Sequence, residues 1–141
     1  MSEEGNVLGS DSEDLAQAML TAARSVVRTC MQVRSVESVL VITDPKFADV
    51  GRALYEATAE VTERILLMMM PASLREGSEP PNQVADLMRR QDVILIATQF
   101  SLTHTRARAN ASREGARIAS MPGIDALTFA NGGMTADYNA L

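Results

Sequence analysis

Ser38-Val-Leu-Val-Ile-Thr43, followed at once by Asp44-Pro45, decides the fold. An unbroken aliphatic run without polar alternation belongs to a strand covered on both faces, as central strands of parallel sheets are. Aspartate caps a helix start, and proline fits the first helical position, where no N–H is needed. A strand therefore runs straight into a helix, which Val50, Ala53, Leu54 and Ala57 continue on one face to about Ala59.

The same alternation repeats outward. Ile65 to Met70 is a second apolar strand, and Pro71 to Pro80 a polar loop. Pro81 opens a helix carrying Val84, Ala85, Leu87 and Met88. Asp92-Val-Ile-Leu-Ile-Ala97 is a third strand of the buried kind. Thr98-Gln-Phe-Ser-Leu-Thr-His-Thr105, rich in hydroxyls, leads into a helix with Ala107 and Ala111 inward, stopped by Gly115. Ala116-Arg-Ile-Ala-Ser120 is a short fourth strand. Upstream, Ser10 and Glu13 have capping-box spacing ahead of a stripe of Leu15, Met19, Ala22, Ala23, Val26, Val27 and Cys30. Cys30 lies on that stripe, which predicts a packed thiol.

Strand and helix alternating four times predict an open, mainly parallel four-stranded α/β sheet with helices on both faces. With the second strand on one side of the first and the third on the other, the order is 2-1-3-4. The expected organisation is a disordered acidic leader at 1–9, an α/β domain at 10–130, and the start of a linker or helix at 131–141.

Composition bounds the function. The chain of 141 residues is 46% hydrophobic but only 4% aromatic, so aliphatic side chains and nine methionines fill one core. One cysteine excludes an internal disulfide framework, and one histidine excludes a closed zinc site of several imidazoles or thiolates. The longest apolar run, Ile65 to Pro71, is far short of the roughly 20 residues that a membrane-spanning helix needs. Without a basic, apolar leader the reading is of a cytoplasmic chain with no membrane partner. The net charge is −5, and five acids precede the first base, Arg24. The remaining body is close to neutral, which argues against nucleic acid as a partner.

In open parallel sheets ligands bind beyond the carboxyl ends of the strands, where neighbouring connections part. Here that places Thr43, Asp44, Thr98, Ser101, Thr103, Thr105 and Arg106 along a cleft, with the single histidine, His104, among them. The first strand is followed by no glycine until Gly51, so the domain is Rossmann-like without a dinucleotide fingerprint; no Walker lysine occurs either. Ser101, Thr103 and Thr105 flank His104, but no carboxylate lies between Asp92 and Glu114 to orient it. Helix capping by Ser101 or Thr103, and by Asp44, is the simpler role for those groups. Arg106 stands near enough to the loop to meet an anion. His104 is the candidate catalytic residue, since an imidazole gives or takes a proton near neutral pH.

Three phrases in order carry a family resemblance: Ser101-Leu-Thr-His-Thr105 with Ala107-Arg108, Gly115-Ala-Arg-Ile-Ala-Ser-Met-Pro-Gly-Ile124, and Met134-Thr-Ala-Asp-Tyr138. Together with Ser38 to Asp44 and Glu79-Pro-Pro81, they resemble the N-terminal domain of the aminopeptidase-T-like metallopeptidases, often labelled leucyl aminopeptidases. Relatives of that family include dihydroxypyridine ring-cleaving dioxygenases. The resemblance implies a Rossmann-like domain forming one wall of an interdomain cleft for a peptide or other small-molecule substrate. It implies a divalent metal held by Glu, His and Asp residues of a C-terminal domain absent here, and no metal or cofactor on this chain. Partners would be that domain or a second copy of the chain. The alternative is a stand-alone α/β module that binds a small molecule without catalysis.

Overall fold

The described residues of the computed structural model are 2–131 and 137–139, excepting 73, 74 and 76, with side chains described from Asp11 to Asn131. Five helices, α1 (Ser2–Arg24), α2 (Ala48–Ala59), α3 (Asn82–Met88), α4 (Arg106–Arg113) and α5 (Ala126–Ala130), surround strands β1 (Val39–Thr43), β2 (Ile65–Met69), β3 (Val93–Ala97) and β4 (Arg117–Ser120). The four strands are parallel in the order β2-β1-β3-β4, as the alternation of elements predicts.

Burial alternates along the strands as pleating requires. Val39, Val41, Val93, Leu95 and Ala119 face a core closed by α1, α2 and α5. Leu40, Ile42, Ile94, Ile96 and Ile118 face a second core closed by α3 and α4. β1 and β3 are buried throughout. β2 occupies an edge and is half open to solvent. At Gly51 an added Cβ would lie 2.7 Å from the Thr43 Cβ, so α2 approaches β1 this closely only because residue 51 has no side chain.

Three expectations change. α1 takes in 2–9, the segment expected to be a disordered leader, and Gly5 and Gly9 do not interrupt it. Second, Cys30 is exposed rather than packed. The cause is a π-helical turn over Ser25–Cys30, in which Met31 N donates to Val26 O at 2.8 Å. The wider turn advances the buried stripe by one residue, so Met31 takes the inward place and Cys30 rotates out. Gln32, at φ 50°, then ends the helix. Third, the expected linker or helix at 131–141 lies partly outside the described residues. The part within them, Asp137–Asn139, is a short strand β5 paired antiparallel to β4.

Beneath the amino ends of the strands, Arg117 holds Glu37 with two hydrogen bonds, Nη1 to Oε2 at 2.6 Å and Nη2 to Oε1 at 2.9 Å. The Arg117 guanidinium also donates to Met31 O at 3.1 Å, so this ion pair ties the end of the π-helical turn to β4.

Candidate functional site

The chain leaves β1 into α2 on one face of the sheet and leaves β3 into α4 on the other. The carboxyl ends of β1 and β3 therefore bound the switch point where such folds leave a crevice. Asp44 spans it. Its Oδ1 accepts from Lys46 N and Phe47 N, both at 3.1 Å, and its Oδ2 accepts from Gln99 N at 2.7 Å. Buried and holding three main-chain donors, Asp44 caps the first turn after β1 and clamps the two loops together. The capping half was legible in the sequence; the bond to Gln99 was not.

Thr43, expected along the cleft, is instead fully buried: its hydroxyl donates to Ala97 O at 2.9 Å and its methyl side meets α2. Thr98 is also buried, with its hydroxyl donating to Phe100 O at 2.7 Å. Neither presents a free group beyond the carboxyl end of the sheet.

The hydroxyl-rich loop is built around one anchor. Leu102 is buried in the second core. Ser101 Oγ accepts from Thr103 N at 2.9 Å and lies 2.6 Å from Thr103 Oγ1, forming a local turn. Thr105, rather than Ser101 or Thr103, caps α4: its Oγ1 accepts from Arg108 N at 3.2 Å and donates to Leu102 O at 2.6 Å. Between the two buried residues Leu102 and Thr105, His104 points to solvent, and Arg106 on the first turn of α4 is exposed as well. The structure thus brings His104, Arg106, Ser101 and Thr103 to the carboxyl end of the sheet, far along the strands from Glu37.

Two features lay outside the sequence prediction. Glu79 reaches across from the 71–81 loop to accept from Arg106 N at 2.8 Å and Ala107 N at 3.2 Å, fixing that loop to the start of α4. Beside it, beyond the end of β2, lies a recess of about 620 Å³ bordered by Met70, Pro71, Arg75, Ser78, Glu79 and Pro81. The second is Gln99, whose amide oxygen is buried and takes no hydrogen bond among the described residues. Buried acceptors in native proteins almost always have a partner, which ordered water or a ligand donor can supply. Its signal in the sequence was only its place one residue past Thr98.

Among the described residues no group of three or more His, Cys, Asp or Glu side chains converges in a way that could hold a metal ion. No helix among them is long and apolar enough to cross a membrane.

No protein-family profile and no curated protein matches the sequence. Among solved structures, 2,5-dihydroxypyridine dioxygenase from Pseudomonas putida aligns over 74% of this chain and 32% of its own, with a TM-score of 0.55 and 16% identity. AmpT from Thermus thermophilus aligns over 82% of this chain and 41% of its own, with a TM-score of 0.49 and 13% identity. The dioxygenase is of a kind named among the relatives of the family that the sequence motifs resemble, and this chain spans less than half the length of either protein. The likeness to the dioxygenase shows a shared α/β fold.

Proposed function

We propose that this chain forms one wall of an interdomain substrate cleft in a metal-dependent, aminopeptidase-like hydrolase, and is inactive alone. The observation that carries the reading is the convergence at the carboxyl end of the sheet. Exposed His104 on the loop and Arg106 at the start of α4 are held from below by Leu102 and Thr105, and the same loop carries Gln99, whose buried amide oxygen has no partner among the described residues. Arg106 suits a substrate carboxylate, and His104 a proton donor or acceptor. The carboxylates here do not fit a metal. Asp44 and Glu79 already accept from main-chain N–H groups, and His104 has no second ligand among the described residues. The metal of this reading therefore belongs to a further domain, and no step is assigned to it on this chain. An exposed lone thiol, Cys30, suits the reducing cytoplasm.

One observation favours the second reading, a stand-alone binding module: both cores close within this chain. A reading frame that continues past codon 141 into a segment rich in Glu, His and Asp supports the first, and a stop codon there the second. The pure chain, given zinc, cobalt or manganese, is expected to release no amine from a chromogenic leucine amide. Metal-dependent release above the rate of a boiled control would overturn the assignment of the metal site to another domain.

A further inference from the structure

The two edges of the sheet are finished differently. β4 is covered by β5, whereas β2 has no strand beyond it among the described residues. Natural sheets guard such an edge with lysine, proline, a bulge or very short strands. β2 has none of these: it reads Ile65-Leu-Leu-Met-Met69, with Leu66 51%, Leu67 37% and Met69 52% exposed. Val36, itself 63% exposed, lies beside its amino end, where the Arg64 guanidinium donates to the Val36 carbonyl.

The direction of the free main-chain groups sets the register that an added strand can take. Val39 N donates to Arg64 O at 2.8 Å, and Met70 N donates to Thr43 O at 2.9 Å. Even-numbered residues therefore turn their N–H and C=O toward β1, and Ile65, Leu67 and Met69 turn theirs outward. We infer that a second copy of this chain pairs here, antiparallel, about a two-fold axis through Leu67. In that register Leu67 faces Leu67 of the copy and Ile65 faces Met69. Every outward residue meets an outward residue and exchanges both hydrogen bonds. Leu66 faces Met68 on the opposite side of the sheet, so both faces of the junction are apolar.

Charge favours the same arrangement. Glu63 and Arg64 flank only the amino end of β2. Antiparallel pairing sends them to opposite ends of the shared ladder, whereas parallel pairing would set each against its own copy. Pro71, which lacks an N–H, ends the ladder just past Met70. Such a two-fold, self-complementary contact closes on itself as a dimer.

Sedimentation of the 141-residue chain at rising concentration is expected to give twice its 15.2 kDa mass. Leu67→Lys should return it to the single-chain mass with an unchanged circular dichroism spectrum. In a Cys30→Ser background, Leu67→Cys should form a covalent dimer under mild oxidation. Opposed Cα atoms in a hydrogen-bonded antiparallel pair lie about 5.5 Å apart, within disulfide reach. Leu66→Cys, offset from its copy, should cross-link more slowly. A wild-type chain that stays monomeric at all concentrations, a dimer that survives Leu67→Lys, or faster cross-linking at Leu66 than at Leu67 would overturn the proposal. The cysteine pair decides the register even if the lysine variant fails to fold.

Discussion

Ile94→Ala is expected to cost about 2–5 kcal/mol of unfolding free energy, the range for removing a large aliphatic side chain from a core. Ile94 sits on β3, hydrogen-bonded to β1 on one side and β4 on the other, opposite Leu40 and Ile118. It is fully buried in the core that α3 and α4 close, with Met88 and Ala111 in the same cluster. The ladders on both sides hold the backbone apart, so the vacated space has little means of collapsing. For a domain whose whole stability is on the order of 5–15 kcal/mol, this is a large fraction. Urea denaturation of wild type and variant measures it. A cost below about 1 kcal/mol, usual for surface changes, would contradict the central place of β3.

The second large effect is an acid lability from Glu37. Hydrogen bonding to the Arg117 guanidinium, aided by the Arg34 N–H and opposed by burial, lowers its carboxyl from 4.5 to about 2. As pH falls, the unfolded chain takes up the proton first. The stabilisation is therefore complete above about pH 4.5 and is lost as pH drops through about 2. The depression corresponds to roughly 3 kcal/mol. Glu37→Gln should flatten the stability profile over that window. At neutral pH it should cost roughly 3 kcal/mol, the low end for breaking a buried pair. The low end applies because the Arg117 side chain is 29% exposed and regains some hydration. Melting curves from pH 2 to 7 check both, and identical slopes for the two proteins would contradict the bond's role. Glu37 lies at the amino end of the strands, so this loss leaves the crevice groups in place.

The central strands were legible because burial on both faces leaves an unbroken aliphatic run, as in Val39 to Ile42 and Val93 to Ile96. β2 carries the same kind of run and yet forms an edge, because composition records a strand's apolar surface and not what covers it. The order of the parallel strands rested on the supposition that β2 and β3 flank β1 rather than on any residue. Cys30 was misplaced because a 3.6-residue period assumes a regular helix, and the π-helical turn adds a residue that periodicity cannot foresee. β5 is too short to have a pattern.

At the site, local chemistry was readable and long-range chemistry was not. Asp44 beside Pro45 announced a cap, and the exposure of His104 and Arg106 followed from their place between strand and helix. The grip of Asp44 on Gln99 and of Glu79 on the start of α4 joins segments distant in sequence, without a spacing to betray them. Thr43 was set in the cleft by position alone. Its side chain alternates with that of Ile42 and falls on the α2 face, where Gly51 leaves room for it.

Amide chemical-shift mapping of the ¹⁵N-labelled chain, titrated with the dipeptide leucylglycine, tests the central claim most directly. If the carboxyl end of the sheet is the wall that meets substrate, the perturbed amides will be those of 98–106, with those of 44–47 beside them. Perturbations confined to the groove between α1 and α2 around Leu15, Asp49 and Arg52, or to the amino end around Glu37, would contradict it, as would the absence of any shift at millimolar dipeptide.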